Sequence, residues 1–288
     1  MIIDVKNVHK TYKKQPVLKG VDMQIEEPAI LALVGPNGAG KTTLLHCMTN
    51  LLPIDQGSIH LLGKNHANPE IFYETAYMQD NRVLYDHLTG YDHLRFITQV
   101  QKMDAARIHE VTEQVGMSSY VKKRVRAYSL GMKQHLLLAM ALINKPKLLL
   151  MDEPLNGLDP TSALRVRHIL QEIAEAGTTV VLSSHILGEI DRLTDTIYFM
   201  KDGVLLKESA DQFAINEYAI YVDQPHAAKS ALEEMEHVRV KDGVIHFDES
   251  TVALARVLDT VSQQGLTITR IENERIGAEK RYRELFET

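Results

Sequence analysis

The chain has 288 residues, 44% of them hydrophobic, one cysteine and a formal net charge of −6. That length supports one large domain plus a small one, the lone cysteine excludes an intrachain disulfide framework, and no apolar run approaches the length needed to span a bilayer. The charge is uneven, with 23 acidic and 23 basic side chains in residues 1–208 but 15 and 9 in residues 209–288, so no basic face points to a nucleic-acid partner.

The N-terminal Met1-Ile2-Ile3-Asp4-Val5-Lys6 lacks the basic start and apolar stretch of a secretory signal, so a cytoplasmic protein is expected. Residues 3–8 and 17–23 alternate apolar and polar positions as strands do. Residues 30–34 are a continuous apolar run, the pattern of a strand buried on both faces of a parallel sheet. Next comes Gly35-Pro36-Asn37-Gly38-Ala39-Gly40-Lys41-Thr42-Thr43, which fits G-x-x-x-x-G-K-[ST], and then Leu44-Leu45-His46-Cys47-Met48, which reads as a helix. Strand, glycine loop, helix is the setting a phosphate-binding loop requires. Gly35, Gly38 and Gly40 let successive N–H groups converge on an anion, and the helix N-terminus adds partial positive charge. In this motif Lys41 reaches the β- and γ-phosphates, and the Thr42 hydroxyl ligates Mg²⁺.

A short strand is expected at 58–63, and residues 68–127 read as mostly helical. The α/β pattern resumes at 147–152, where Asp152 and Glu153 place two carboxylates at the end of a buried strand. Asp152 is expected to hold Mg²⁺ through water, and Glu153 to orient or deprotonate the attacking water. A helix over 161–176 and a buried strand over 178–184 follow. Cys47 reads as a small buried hydrophobe. Beyond Gly203 the character changes. Strand 218–222, helix 226–235, strands 237–241 and 243–247, helix 250–263, strand 266–271 and helix 276–286 give the β-α-β-β-α-β order of a ferredoxin-like domain. His226, His237 and His246 there lack metal-ligand spacing.

GPNGAGKTT, Met151-Asp152-Glu153-Pro154, Asn156-Gly157-Leu158-Asp159-Pro160 and Ser184-His185 together resemble, in order and spacing, the motifs of an ATP-binding cassette (ABC) ATPase over roughly residues 1–205. The resemblance implies an α/β, P-loop NTPase-type sheet with an inserted helical subdomain at about 68–145 in a nucleotide-binding domain over 1–208. A small α+β accessory or regulatory domain would occupy 209–288. It also implies site roles. Tyr12 would stack on adenine, and Gly35, Asn37, Gly38, Gly40, Lys41, Thr42 and Thr43 would wrap the phosphates of ATP. Gln79 would contact Mg²⁺ or water, and His185 would contact the γ-phosphate. Asp159 would lie in the loop that crosses to a partner subunit.

The signature loop departs from the family's LSGGQ: here it reads Tyr128-Ser129-Leu130-Gly131-Met132-Lys133-Gln134. Ser129 and Gly131 remain in place, Leu130 replaces the first glycine, and the form is similar to that of bacterial exporter cassettes of the bacitracin and lantibiotic-resistance type. In the family the phosphate loop of one chain and the signature loop of another enclose each nucleotide. The implied assembly is therefore a dimer, expected to be a homodimer, held on the inner face of the cell membrane by separate membrane-spanning permease subunits. The implied function is ATP hydrolysis coupled to export of a peptide, antibiotic or lipid-like molecule. Two alternatives are a soluble cassette acting on nucleic acid or ribosomes, and a regulatory cassette that binds ATP without turnover.

Overall fold

The computed structural model describes residues 1–210, 215–232 and 235–287, and the chain divides into two compact units, Met1–Glu208 and Ser209–Thr288. Residues 233 and 234, within the helix expected over 226–235, lie outside the described residues.

The first unit opens with a hairpin, β1 (Ile3–Tyr12) and β2 (Gln15–Ile25). Its two-residue turn, Lys13-Lys14, has both residues at positive φ, 44° and 74°, the conformation whose twist matches that of paired strands. β3 (Ile30–Val34) leads through the glycine loop into α1 (Lys41–Met48). β4 (Gln56–Leu61) and β5 (Lys64–Asn65) complete an antiparallel sheet of order β2-β1-β4-β5. β6 (Thr75–Met78) precedes the helical block of α2 (Gly90–Val100), α3 (Ala106–Gln114) and α4 (Leu130–Leu142). β7 (Leu148–Met151), α5 (Pro160–Glu175), β8 (Thr179–Ser184), α6 (Leu187–Asp191), β9 (Thr196–Lys201) and β10 (Val204–Ser209) follow.

These strands build a second sheet of order β10-β9-β3-β8-β7-β6, in which β3 pairs in parallel with β8 and β9, and β7 in parallel with β6 and β8. β6 corrects the reading of 68–127 as mostly helical. Three of its four residues are buried, so it lacks the two-fold alternation that marks a strand in sequence. One face of the parallel sheet, formed by Leu31, Leu33, Leu148, Leu150, Val181, Tyr198 and Met200, packs with α1 and with the inward side chains Ile3, Val5, Ile59 and Leu61 of the antiparallel sheet. α1 is thereby sandwiched in the core, and its amino end is fixed at the carboxyl edge of β3, where an open α/β sheet binds ligands.

Cys47 lies in that core, fully buried, and burial pushes its thiol up to about 11, with the Lys10 charge opposing and Asp55 reinforcing. The thiolate is the reactive form. Native protein at neutral pH should therefore resist a disulfide-exchange reagent over the time in which a free thiol reacts completely, and unfolding in urea should release one reactive thiol per chain. Fast labelling of the native protein would contradict this packing.

The second unit contains β11 (Ile215–Val222), α7 (Pro225–Leu232), β12 (Val238–Lys241), β13 (Val244–Asp248), α8 (Leu254–Gln263), β14 (Ile268–Ile276) and α9 (Ala278–Phe286). The sheet order is β12-β13-β11-β14, with every pairing antiparallel. In chain order that is 2-3-1-4, the split-βαβ arrangement. Its core joins Ile220, Val222, Ile245 and Phe247 of the sheet to Ala228 and Leu232 of α7 and to Val257 and Val261 of α8.

Candidate functional site

The site is built at the carboxyl ends of β3, β7 and β8. Gly40 caps α1 with φ of 111°, a backbone conformation that glycine adopts without penalty. A Cβ on Gly35 would stand 2.7 Å from the Met200 carbonyl oxygen, so the loop hugs β9. No side chain caps α1 and no acidic residue occupies its first turn. Its first amides, among them those of Lys41, Thr42 and Thr43, are left for an external acceptor. This is the chemistry of a phosphate cradle.

Lys41 is 6% exposed. Its ammonium group donates to the Gly35 carbonyl at 2.7 Å and the Pro36 carbonyl at 3.4 Å and lies 3.8 Å from a Glu153 carboxylate oxygen. Burial pushes Lys41 below the usual lysine range, and the Glu153 and Asp152 charges oppose that shift. The Thr42 hydroxyl donates to Asp152 Oδ2 at 2.7 Å. Two hard oxygen donors thus face each other beside the cradle, the donor set that Mg²⁺ takes, and Thr42 and Asp152 fit that ion.

Glu153 has φ of 51°, in the left-handed region. For a non-glycine residue this is strained, by roughly 1–2 kcal/mol. Its side chain meets His185, whose Nδ1 donates to Glu153 Oε2 at 2.7 Å. Lys41, Thr42, Asp152, Glu153 and His185, distributed over residues 41–185 of the sequence, form one connected cluster. Ser183 joins it: fully buried, it donates to Asp152 Oδ1 at 2.6 Å and accepts from the Glu153 amide at 2.9 Å. Sequence reasoning took Ser183 only as a strand residue. Its signal was a hydroxyl at the end of the buried apolar run Val180-Val181-Leu182.

Ser129, Gly131 and Asp159 form a second group. Ser129 caps α4, its hydroxyl accepting from the Met132 amide at 3.3 Å. A Cβ on Gly131 would lie 3.4 Å from Ser162 Oγ and 3.8 Å from Asp159 Oδ2. The Asp159 carboxylate caps α5, accepting from the Ser162 hydroxyl and from the Thr161 and Ser162 amides. The Ser162 hydroxyl bond leads in holding it below the usual carboxylate range. Tyr128, next to Ser129, is buried and donates its hydroxyl to the Tyr120 carbonyl at 3.0 Å. Among the described residues, no hydrogen bond or ion pair joins this group to the Lys41–His185 cluster.

Among the described residues, no side-chain hydrogen bond or ion pair joins Tyr12 or Gln79 to either group. Tyr12, 40% exposed, sits at the end of β1 beside the Lys10 ammonium. Gln79 follows β6, where the Met78 carbonyl accepts from the Asp152 amide at 3.0 Å. It lines a groove of about 320 Å³ with Phe72, Val83, Ile97, Leu137 and Met140.

The ABC transporter family profile matches residues 18–156, and an AAA-domain profile matches 123–191. The chain is 36% identical over 207 residues to the lantibiotic transport ATP-binding protein SrtF of Streptococcus pyogenes, covering 72% of this chain and 90% of that relative. It is 31% identical over 283 residues to the bacitracin transport ATP-binding protein BcrA of Enterococcus faecalis, covering 94% of this chain and 92% of the relative. A solved ATP-binding subunit of an ABC transporter superposes with a TM-score of 0.68 at 27% identity, over 74% of this chain and 91% of that one. A nucleotide-free ABC cassette, 20% identical with a TM-score of 0.64 over 71% of this chain and 89% of that one, shares the fold. Phosphate loop, paired carboxylates and histidine meet in one cluster on that fold, and the chain belongs to the ATP-binding subunits of ABC transporters.

Proposed function

We propose that this chain is the ATP-hydrolysing subunit of an exporter, working on the cytoplasmic face of a membrane as a dimer, with Mg²⁺ and with separate membrane-spanning subunits. The observation that carries the reading is the contact of Glu153 with both Lys41 and His185 at the mouth of the phosphate loop. Tyr12 packs on the adenine ring. Gly35, Asn37, Gly38, Gly40 and Thr43 hold the phosphate chain through the loop and the first turn of α1, and Lys41 neutralises its β- and γ-oxygens. Thr42, Asp152 and Gln79 would hold Mg²⁺, which would supply neutralisation of charge on the phosphate oxygens. Glu153 accepts the proton of the attacking water. Its oxygen bonds to the γ-phosphorus, the bond to the β-phosphate oxygen breaks, and ADP leaves with that electron pair. His185 holds the Glu153 carboxylate and reaches the γ-phosphate.

Ser129 and Gly131 act on the nucleotide of the second copy, and Asp159 sets the loop between the two sites. ATP is then a dimer contact that hydrolysis removes. Export of a peptide, antibiotic or lipid-like compound is supported by the relatives named for lantibiotic and bacitracin transport. Among the described residues no helix is long and apolar enough to cross a membrane, which fits spanning subunits on other chains. The second unit serves as an accessory or regulatory domain.

The groove beside Gln79 offers those subunits a seat. Phe72 and Val83 expose apolar surface in it, and Phe96 and Val100 of α2, the helix that contributes Ile97 to its lining, are also exposed, more than an isolated surface residue would present. Val83→Asp is expected to retain phosphate release by the purified chain while losing co-purification of a membrane-spanning protein from native membranes. Equal recovery of that protein with wild type and variant would remove the groove from the proposal.

A further inference from the structure

We propose that Ser183 is a positioning residue for hydrolysis, holding the metal-side carboxylate of Asp152 and the backbone of Glu153 through one buried hydroxyl. The inference rests on the ATPase reading above and adds to it a residue outside the family-like motifs. β7 and β8 run in parallel with Met151 opposite Leu182, so the residue after each strand register pair, Asp152 and Ser183, falls side by side. Ser183 has the same parity along β8 as Val181, whose side chain enters the core against α1, so its hydroxyl points to the α1 side of the sheet. It is fully buried.

The proton arrangement there has one solution. A backbone amide can only donate, so the Glu153 N–H donates to Ser183 Oγ at 2.9 Å. The single hydroxyl hydrogen of Ser183 must then go to Asp152 Oδ1, at 2.6 Å. Asp152 Oδ2 already accepts from the Thr42 hydroxyl. Both oxygens of Asp152 are therefore acceptors, which fixes the rotation of the carboxylate. On the other side, the anchored amide belongs to the residue at φ of 51°. A conformation of this kind persists only where its surroundings over-determine it, and here Ser183 supplies the bond at its amide while Asn156 N–H, at 3.2 Å, holds its carbonyl. Ser183 thus ties the group facing the metal position to the group facing the water position. Neither Lys41 nor the loop amides depend on it.

The consequence is a separation of catalysis from phosphate binding. Ser183→Ala leaves the Glu153 amide without its acceptor and lets Asp152 rotate. Residues that orient metal ligands carry about 10–100-fold in activity or metal affinity when removed. We expect Ser183→Ala to lower kcat by about 10–100-fold with KM for ATP within about threefold of wild type. Ser183→Thr, which keeps the hydroxyl, should recover most of the rate. Binding gives an independent readout: a fluorescent ATP analogue, titrated with EDTA and then with Mg²⁺, should bind wild type and Ser183→Ala equally without metal. The tightening on adding Mg²⁺ should shrink several-fold in Ser183→Ala and return in Ser183→Thr.

Lys41→Ala, assayed alongside, separates the two levels of inference. If wild type releases phosphate no faster than Lys41→Ala, the ATPase reading fails, and the Mg²⁺ titration still decides the role of Ser183. If wild type is active and Ser183→Ala matches it in both kcat and Mg²⁺-dependent tightening, Ser183 has no positioning role. Loss of metal-free binding or of the folded state in step with activity would also overturn the proposal, since it assigns Ser183 no part in either.

Discussion

Glu153→Gln should release phosphate about 10²- to 10⁴-fold more slowly than wild type while still binding ATP, the usual contribution of a general base. Gln has nearly the shape of Glu, so it can keep the hydrogen bond with His185 Nδ1 and the backbone at φ of 51°. What it cannot do is take the proton of the attacking water or offset the Lys41 charge 3.8 Å away. With hydrolysis blocked, the γ-phosphate stays in place as a contact between chains, and the variant should elute as a dimer in ATP and as a monomer without nucleotide. Wild type in ATP should show this shift weakly, because turnover removes the contact. The geometry favours the prediction: Gly131, on the helix that Ser129 caps, lies against Asp159 and Ser162, while Lys41, Glu153 and His185 form a separate cluster in the same chain. A pocket that needs both groups is then completed by a second copy. Size-exclusion chromatography with light scattering measures the shift, and its absence in Glu153→Gln would sink the two-chain site.

What could be read in the sequence was whatever is written contiguously. The loop from Gly35 to Thr43 declares its own chemistry because strand, glycines, lysine and helix are consecutive. β7 and β8 were legible as apolar runs because both faces of each are covered. In the second unit, the alternation along β11 and β13 and the Asp242-Gly243 turn were enough to give a strand order that the register bears out. β14 runs to Ile276, past the expected end at 271. Its Arg270 and Glu272 stand two residues apart on a strand at the sheet edge, where charged residues interrupt the apolar pattern. β6, β9 and β10 had no such signal. β6 is too short to show a period, and β9 carries a buried Tyr198 in a run that ends at Lys201. Ser183 was illegible for a deeper reason: its meaning lies in Asp152 and Glu153, 31 and 30 residues away, and only the parallel register of β7 and β8 brings them together.

Lys41→Met should weaken ATP binding by roughly 10- to 100-fold, the worth of one charge-assisted contact to phosphate. It should also change how stability responds to pH, and the sign follows from burial. In the folded chain Lys41 is pushed below the usual lysine range, mainly by desolvation. Below that lowered value both folded and unfolded chains carry the proton, and the folded state bears the full penalty of burying it. Between the lowered value and the ordinary one, near about 10.4, the unfolded chain binds more protons, so stability rises with pH through that window. The methionine variant lacks this rise. Urea unfolding of wild type and variant without nucleotide, at neutral pH and near pH 10, should therefore show wild type gaining on the variant as pH increases. All other titrating groups are common to the two proteins and largely cancel. Parallel pH dependences would mean that Lys41 is not held against desolvation. Saturating ATP at neutral pH should stabilise wild type well above Lys41→Met, since ligand binding to the folded state adds to its stability. The phosphate loop then holds its ammonium group against desolvation that Glu153 and Asp152 only partly offset, and nucleotide phosphates would be the partners that complete the compensation.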